Sequence, residues 1–280
     1  RKLMHMFADA FFAVGRKEVD LDIGRGILAF FDESTEPLII KCAVSYTDID
    51  GARKNFLETE GFDFDAVREN AQKEWEKVLD CVNVEGSDET DLKIFNTCLY
   101  HTLLDPRSAR DVDGRFSLEC EIMQDDSYTH RTMFSGWDVY RSEFPLLTLI
   151  RPDIVNDTAN YLLKIAQETK ASFPQWELMG INAGCMVGDP GLIVVADAFV
   201  KGLCSFDSNA AYEIAAASSF SKTEHNGEAF HSVRPKCKQY KKDAFVPKKL
   251  SDTLEFLLAD YCMSRFAKAM NKTDDAVYFA

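Results

Sequence analysis

Several common functional signatures are missing from this chain of 280 residues. No apolar run approaches the roughly 20 residues that a membrane-spanning helix needs. The phosphate-binding P-loop, the G-x-G-x-x-G dinucleotide motif and the G-x-S-x-G nucleophile elbow do not occur either. The sequence therefore gives no support for a transmembrane protein, for a nucleotide-binding enzyme of these types or for an α/β-hydrolase.

Positive charge is also scarce. The chain has 32 Lys and Arg against 46 Asp and Glu, which gives a formal net charge of −14. Nucleic-acid phosphates require clustered Lys and Arg, and anionic membrane surfaces attract basic segments. The charge argues against both partners and is compatible with a neutral or cationic small molecule.

Cysteine pairs at the spacing of metal or redox sites are absent. The eight cysteines are spread along the chain without a C-x-x-C pair, which disfavours zinc-ribbon and thioredoxin-type sites. Most lie in apolar stretches, so we expect a mainly reduced set that packs as small hydrophobic residues, with one or two disulfides as the alternative. No signal peptide is recognised in this segment, which we expect to begin inside a strand.

The first 46 residues are rich in strand-forming side chains. Three aromatic or β-branched segments are separated by Gly, Asp and Pro: "MHMFADAFFAV", "GILAFFD" and "PLIIKCAVSY". Three strands cannot bury both of their faces, so they need a partner layer. We therefore predict that residues 1–46 are the end of a β-rich domain.

From residue 47 onward the hydrophobic period is that of helices. Two helices are predicted within 47–84, and Asp63 or Asp65 can cap the second. A third is predicted to start with Ser87 as its N-cap and to end at Pro106. Later helices are predicted at roughly 138–150, 152–170, 190–203, 208–219 and 249–270.

Two stretches lack a clear period. Residues 107–133 are polar, with hairpin signals around "DVDGRF". Residues 220–247 are polar, basic and weakly periodic, and we predict a long surface loop there. The coarse architecture is thus a β portion followed by an antiparallel array of helices.

The segment "SGWDVYR" is the first candidate binding motif. On one continuous helix, a single face would carry Trp137, Tyr140, Arg141 and Phe144. Asp138 can cap that helix or pair with Arg141. Aromatic rings beside a carboxylate and a guanidinium suit a sugar, which stacks its C–H face and offers its hydroxyls. An N-capped helix with an aromatic core face and a local ion pair explains the same pattern without a ligand.

The segment "FPQWELMGINAGCMVGDPG" is the second candidate. It is rich in Gly and Pro and has no helical period before Leu192, yet it holds Trp176, Asn182 and Cys185. Such a loop suits a binding lip. Asp189 before Pro190 also matches an ordinary helix N-cap with proline at the first helical position, so both interpretations stay open.

Other matches favour structural roles. Cys185 has no histidine near it in sequence that could activate it as a nucleophile. His101 and His130 are lone histidines, which are more often structural residues than metal ligands. "DVDGR" lacks the later ligands of an EF-hand calcium loop, so that site is rejected.

A series of motifs runs in order through nearly the whole chain: "AVSYTDIDGARKNFLETE", "IFNTCLYHTLLDP", "DVDGRF", "FSGWDVYR", "FPLLTLIRPDIVND", "FPQWELMG", "GCMVGDP", "VVADAFVKGLCSFD" and "LSDTLEFLLADYCMSRFAKAM". No one of these motifs is specific alone, whereas their combination is. In this combination the chain resembles the calcium-dependent α-mannosidases of glycoside hydrolase family 92.

This resemblance implies a fold that is mainly α with a β portion. Family members join an N-terminal β-sandwich through linker helices to a large (α/α)6 toroid. Residues 1–46 are then expected to be the C-terminal part of the sandwich domain and 47–84 the linker helices. Residues 85–280 would form the first part of the toroid, an incomplete ring.

The resemblance also implies an inverting exo-hydrolase that removes terminal α-linked mannose from glycans and is secreted or periplasmic. In inverting enzymes a carboxylic acid protonates the leaving oxygen, and a carboxylate ~6.5–9.5 Å away activates water. Ca2+ is the implied cofactor and would hold ring hydroxyls and assist ring distortion. The implied partner is a mannose-containing glycan.

The chain departs from the family pattern in two ways. The segments that carry the acid and the base, similar to "TEGNxWQY" and "GNDDxGQMSAW", do not occur in it. The segment is therefore expected to lack both groups and most calcium ligands, and to be inactive alone. Asn182 also stands where many members carry Glu.

Carried over residue by residue, the resemblance implies a substrate-binding role for five side chains: Trp137, Asp138, Arg141, Trp176 and Cys185. Asp138 and Arg141 are expected to bind sugar hydroxyls, and Trp137 or Trp176 to form a stacking wall. No catalytic acid or base and no metal ligand is assigned in this segment.

Two other functions remain as alternatives. One is an inactive, truncated remnant or a non-catalytic mannoside-binding protein. The other is a different (α/α)6 carbohydrate enzyme of the trehalase or glucoamylase type, which the continuous motif order disfavours.

Overall fold

The computed structural model describes residues 7–14, 17–19, 39–59, 61, 63–86, 88–234 and 237–280. Over these ranges helices predominate, and the paired strands are antiparallel. This agrees with the predicted class, mainly α with a β portion. No helix within them has both the length and the apolar character to cross a membrane. The sandwich and toroid assignments stay predictions.

The elements follow one another in short segments. The described strands are β1 Phe7–Val14, β2 Lys17–Val19, β3 Ile39–Ser45, β4 Arg107–Ser108, β5 Arg115–Leu118, β6 Glu121–Gln124, β7 Arg131–Thr132, β8 Phe134–Ser135, β9 Trp176–Leu178, β10 Ile181–Asn182, β11 Glu224–His225 and β12 Glu228–Ala229. The described helices are α1 Ile49–Phe56, α2 Phe64–Leu79, α3 Glu89–Thr102, α4 Gly136–Val139, α5 Glu143–Ile150, α6 Pro152–Thr169, α7 Pro190–Val200, α8 Ser208–Ser219, α9 Cys237–Asp243, α10 Leu250–Ala269 and α11 Thr273–Tyr278.

The chain divides into two compact units. Unit 1 comprises Arg1–Val84 and Arg110–Asp125, and unit 2 comprises Glu85–Ala109 and Asp126–Ala280. The hairpin β5–β6 therefore belongs with the N-terminal unit, although it follows α3 in sequence. The predicted division into sandwich, linker and toroid stays a prediction.

Unit 1 contains a three-stranded sheet of order β2-β1-β3. Its strands β1 and β3 confirm two of the three predicted strand segments, and the third, residues 26–32, lies outside the described residues. Helix α1 packs on β3 and β1. Helix α2 forms as predicted, but none of its residues is buried.

Asp111 of the "DVDG" segment fixes the junction between β3 and α1. Its carboxylate accepts hydrogen bonds from the hydroxyls of Ser45 and Thr47, at 2.6 and 2.5 Å. The side-chain amide of Asn55 donates to it at 2.8 Å. A Cβ on Gly51 would lie 2.4 Å from Asp111 Oδ2, so only glycine fits at this point of α1.

One of the predicted helix caps is confirmed. Asp63 caps α2, since its side chain accepts from the backbone N–H of Ala66 at 2.9 Å. The N-cap of helix α3 is Asp88, whose carboxylate accepts from the N–H of Thr90 at 2.7 Å; the predicted cap, Ser87, lies outside the described residues. The helix also ends earlier than predicted, at Thr102.

Unit 2 holds most of the core. The predicted later helices agree with α5, α6, α7, α8 and α10 to within a few residues, apart from the start of the first. Helix α10 packs on α7, α8 and α11. The ring of Phe266 contacts the rings of Phe199 and Tyr212, with centroids 5.1 and 5.4 Å apart.

The prediction of a long surface loop at 220–247 is wrong in part. The stretch contains the hairpin β11–β12 and helix α9. Its Arg234 side chain is fully buried. Two carboxylates and one hydroxyl, from Asp189, Asp260 and Ser219, accept hydrogen bonds from the guanidinium and compensate its burial. A local pattern does not reveal such partners.

The cysteines that the structure describes are free, but fewer of them are packed in the core than predicted. The seven described thiols are unpaired, and five of them are exposed: Cys42, Cys98, Cys120, Cys185 and Cys204. Burial alternates along the end of β3, so Cys42 lies on the outward face despite its apolar neighbours. An apolar run therefore did not imply burial of each member.

Candidate functional site

The segment "FSGWDVYR" forms the end of a strand and a short helix. Strand β8 leads into α4, which ends at Val139, and α5 begins at Glu143. The predicted single helix is therefore wrong. A continuous helix would place Pro145 in its interior, where the ring removes a hydrogen bond and clashes with the preceding turn. In the structure Pro145 lies in the first turn of α5, which tolerates it.

This break separates the side chains that were predicted to share a face. Trp137 is exposed on α4, whereas Phe144 is buried on α5. The Phe144 ring packs edge-on against Phe134, with centroids 5.9 Å apart. Trp137 is therefore available to a ligand and Phe144 belongs to the core.

Gly136 sets the position of α4. Its N–H donates to the carbonyl of Gln175 at 3.1 Å. A Cβ at this position would lie 2.5 Å from the ring of Pro190 and 2.8 Å from the Gln175 oxygen. A larger residue would therefore push α4 away from the start of α7 and from the segment that leads into β9.

The two predicted binding motifs meet through a short hydrogen-bonded chain. Strand β8 pairs with β9 so that Ser135 lies opposite Trp176. The indole Nε1 of Trp176 donates to Ser135 Oγ at 2.8 Å, and Ser135 Oγ donates to Asp138 Oδ2 at 2.5 Å. The structure thus brings Trp176 to the start of α4, next to the helix that carries Trp137 and Asp138.

Arg141 has a different partner from the predicted one. Its Nη2 donates to Glu255 Oε1 on α10 at 2.6 Å, and Asp138 is engaged by Ser135. The guanidinium carbon lies 5.3 Å from the centre of the Trp137 ring and 4.8 Å from that of Tyr140. The Arg141 side chain is 51% exposed, so part of the guanidinium remains accessible.

Glu255 is the residue that the sequence did not reveal. Its side chain is 9% exposed, and its second oxygen accepts from the Tyr140 hydroxyl at 2.8 Å. Burial, with the hydrogen bond to Glu255, raises the pKa of Tyr140. Because Glu255 lies 114 residues from Arg141 in sequence, no local spacing indicates the pair.

Cys185 is not brought into a described contact with the other four. It lies exposed in the loop after β10, next to Met186, which is 47% exposed and has a positive φ of 72°. Asn182 ends β10, and its side-chain oxygen accepts from the N–H of Gly184 at 3.2 Å. This amide therefore shapes the loop that carries Cys185.

Glu177 follows Trp176 on β9, and its side chain is buried. Its carboxylate accepts from the Gly180 N–H at 2.6 Å, from the Thr132 hydroxyl at 3.0 Å and from the Tyr161 hydroxyl at 3.3 Å. Burial raises the pKa of Glu177 to about 7, although these hydrogen bonds oppose the shift. Glu177 ties the β9–β10 turn to the core and has no exposed surface.

A cleft of about 350 Å³ adjoins Arg141. Its walls come from the segment around Arg141 and from α5, α7 and α10, and they are largely apolar, with Asp197 as the other charged residue. Sugars need several hydroxyl-binding groups and an exposed aromatic face, whereas Tyr140 and Phe144 are buried and Trp137 and Trp176 do not line this cleft. We therefore do not assign a sugar to it.

The calcium ion that the family implies does not fit the described residues. Within them, no three His, Cys, Asp or Glu side chains come together in a way that could hold a metal ion. Calcium binding in proteins takes six to eight oxygen ligands, with carboxylates prominent among them. We therefore assign no calcium ligand among the described residues.

The chain belongs to glycosyl hydrolase family 92, since residues 51–280 match the model of that family's catalytic domain. Among solved structures it is similar to a family GH92 α-mannosidase from Bacteroides thetaiotaomicron in complex with mannoimidazole, with 28% identity and a TM-score of 0.79. It is also similar to a family GH92 inverting mannosidase from Bacteroides thetaiotaomicron VPI-5482, with 26% identity and a TM-score of 0.78.

These similarities cover most of this chain and a smaller part of each relative. The first alignment covers 98% of this chain and 38% of the other, and the second covers 89% and 34%. The chain thus spans less than two fifths of the length of the mannosidases it matches. A comparison with curated proteins gave no match.

Proposed function

We propose that this chain supplies part of the mannose-binding site of an inverting, calcium-dependent α-mannosidase that hydrolyses terminal α-linked mannose from glycans. In this proposal the protein is secreted or periplasmic, and residues 85–280 are the first part of the (α/α)6 toroid. In this proposal the calcium ligands also lie mostly outside these 280 residues. Support comes from membership of family 92 and from the similarity to a mannosidase that holds mannoimidazole.

One observation carries the proposal. The hydrogen-bonded chain from Trp176 through Ser135 to Asp138 brings β9 to the start of α4, although Ser135 and Trp176 are 41 residues apart in sequence. Two indoles, one carboxylate and one half-exposed guanidinium thus become available around a single short helix. Indole faces bind the C–H face of a sugar, and the two charged groups bind its hydroxyls.

Each group has a distinct role in this proposal. Trp137 or Trp176 stacks on the mannose ring, while Asp138 accepts hydrogen bonds from hydroxyls and Arg141 donates to them. Cys185 lines the site from the loop after β10. The acid that protonates the leaving oxygen and the base that activates water are not assigned to any of these residues, so the segment alone is proposed to be inactive.

Binding is tested by calorimetric titration of the purified chain with mannoimidazole, and with methyl α-D-mannoside beside methyl α-D-glucoside. The two methyl glycosides differ only at the second carbon, so a site for mannose prefers the first. We expect measurable binding of the mannose compounds, weakened at least about tenfold in Trp137→Ala, a change at an exposed residue that leaves the core intact. Equal binding of both glycosides would contradict a mannose site.

Catalysis is tested separately with 4-nitrophenyl α-D-mannoside, with and without calcium. We expect no release of nitrophenol by the 280-residue chain. Turnover that a chelator abolishes would show that the acid, the base and the calcium ligands are present in this segment, contrary to the proposal.

A further inference from the structure

Helix α10 carries a carboxylate that reaches the exposed guanidinium of the proposed mannose site. Glu255 Oε1 accepts from Arg141 Nη2 at 2.6 Å, and Glu255 Oε2 accepts from the Tyr140 hydroxyl at 2.8 Å. Both oxygens are therefore engaged, and the side chain is 9% exposed. These facts argue that Glu255 acts on its neighbours and does not itself contact a sugar.

The backbone around Glu255 is fitted to it. Gly188 has a φ of +84°, and a Cβ there would lie 2.8 Å from the Cβ of Glu255. The carbonyl of Gly188 accepts from the side-chain amide of Gln175 at 2.7 Å. Since Gln175 directly precedes Trp176, this contact connects the loop at Glu255 with the strand that carries the second indole.

Arg141 needs such a partner to keep its orientation. A surface arginine has several rotatable bonds, and holding it in one conformation costs side-chain entropy. In the structure the guanidinium carbon lies 5.3 Å from the centre of the Trp137 ring and 4.8 Å from that of Tyr140. The charge-assisted hydrogen bond to Glu255 fixes it there while half of the side chain stays exposed.

The geometry points to Glu255 as a positioning residue that holds Arg141 against the Trp137 ring, so that the exposed part of the guanidinium is preorganised for sugar hydroxyls. This inference rests on the proposed function for the ligand, but the orientation of Arg141 can be measured without any ligand. Glu255 acts through Arg141, and its effect on binding depends on Arg141 being present.

The chain provides a matched control on the same helix. Asp260 also accepts from one arginine and one tyrosine, namely from Arg234 at 2.5 Å and from Tyr240 at 2.9 Å. The Arg234 side chain is fully buried, so it cannot reach a ligand. Asp260→Asn therefore perturbs a similar cluster on α10 without touching the proposed site.

The experiment is a double-mutant cycle with mannoimidazole, measured by calorimetry on the wild type, Glu255→Gln, Arg141→Met and the double variant. We expect Glu255→Gln to weaken binding about tenfold, and to have an effect below about twofold once Arg141 is absent. Asp260→Asn should leave the affinity within about twofold of wild type, although its melting temperature falls. An equal loss from Glu255→Gln with and without Arg141 would overturn the positioning role.

Ligand-free crystal structures of the wild type and Glu255→Gln give an independent answer. We expect Arg141 to leave the Trp137 ring in the variant; an unchanged guanidinium would overturn the inference. If Glu255→Gln does not fold, Glu255→Asp keeps the charge but withdraws the carboxylate, with the same expectation. A wild-type protein that binds no mannoimidazole would contradict the proposed function, and the two crystal structures would still decide the role of Glu255.

Discussion

Helix α10 carries two carboxylates with the same kinds of partner in different surroundings. Glu255 and Asp260 each accept a hydrogen bond from one arginine and one tyrosine. The arginine at Glu255, Arg141, has a 51% exposed side chain, whereas the arginine at Asp260, Arg234, has none of its side chain exposed. The same kind of hydrogen-bonded cluster thus holds a solvent-accessible arginine at Glu255 and a buried arginine at Asp260.

The buried Arg234 guanidinium has three hydrogen-bond acceptors. Besides Asp260, the Arg234 guanidinium donates to Asp189 Oδ2 and to Ser219 Oγ, both at 3.0 Å. Asp189 stands at the predicted N-cap position of α7, but its side chain makes no cap hydrogen bond and binds Arg234 instead. An arginine whose donors are used in this way is structural, so a ligand role is expected for Arg141 alone of the two.

The largest effect is expected from Arg234→Met. This change leaves Asp189 buried without its charged partner, and breaking a buried pair costs about 3 to 5 kcal/mol of unfolding free energy. The loss is measured by urea unfolding at low temperature. Binding of mannoimidazole by the fraction that remains folded should stay within about twofold of wild type. A loss below about 1 kcal/mol would mean that the cluster is not a determinant of stability.

A pH effect is expected from Glu177, a buried carboxyl whose described hydrogen bonds come from neutral donors. Burial raises its pKa from 4.5 to about 7, so the folded state binds more protons than the unfolded state in this range. Stability from this group is therefore full below about pH 4.5 and is lost as the pH rises through about 7. The amide in Glu177→Gln cannot titrate. The unfolding free energy of this variant, relative to that of the wild type, should therefore rise by on the order of 1 to 3 kcal/mol over this pH range.

Urea unfolding of both proteins at pH 5, 6, 7 and 8 provides the measurement. Glu143, whose pKa burial and Asp105 also raise to about 7, titrates in both proteins, so its contribution cancels. A difference in unfolding free energy that does not change with pH would contradict the assignment to Glu177.

Arg141→Met should lower the affinity for mannoimidazole clearly and the stability only modestly, which is the opposite of the effect expected for Arg234→Met. Because the Arg141 side chain is half exposed and Glu255 keeps its hydrogen bond from Tyr140, the expected change in unfolding free energy is about 1 to 2 kcal/mol, smaller than that of Arg234→Met. The affinity for mannoimidazole should fall at least about tenfold, since a charge-assisted hydrogen bond to the sugar is lost. Calorimetry and urea unfolding on the same preparation separate the two effects. A stability loss as large as that of Arg234→Met would assign Arg141 to the core.

The smallest effect is expected from Cys185→Ser. The thiol is exposed in the loop after β10, so the unfolding free energy should change by less than about 0.5 kcal/mol. If Cys185 only lines the mannose site, affinity should change by about twofold or less, because serine keeps the shape and offers a hydrogen bond. A change above about tenfold would give Cys185 a larger role than its neighbours.

Local signals predicted the helices well because the caps and periods that define them lie within a few residues. Asp63 caps α2 as predicted, and the bounds of α6 and α8 agree closely with the pattern. The prediction failed where Pro145 divides a hydrophobic period into two helices. Sequence spacing then suggested an Asp138–Arg141 pair that the broken helix does not form.

The candidate site was predicted in part for the same reason. Trp137, Asp138 and Arg141 are neighbours in sequence, and the second candidate segment contains Trp176, which the structure links to Asp138 through Ser135. Glu255 could not be predicted, because its partner lies 114 residues away and no periodic pattern links them. Long-range polar pairs of this kind depend on packing between helices and have no local signature.

The most direct test of a mannose site at α4 is a crystal structure of this chain with mannoimidazole. We expect the sugar ring against the face of Trp137 or Trp176, with Asp138 and Arg141 within hydrogen-bonding distance of its hydroxyls, about 2.7 to 3.2 Å. Arg141 should keep its contact with Glu255. A ligand bound elsewhere on unit 2, with these side chains unchanged and solvent-exposed, would contradict the assignment.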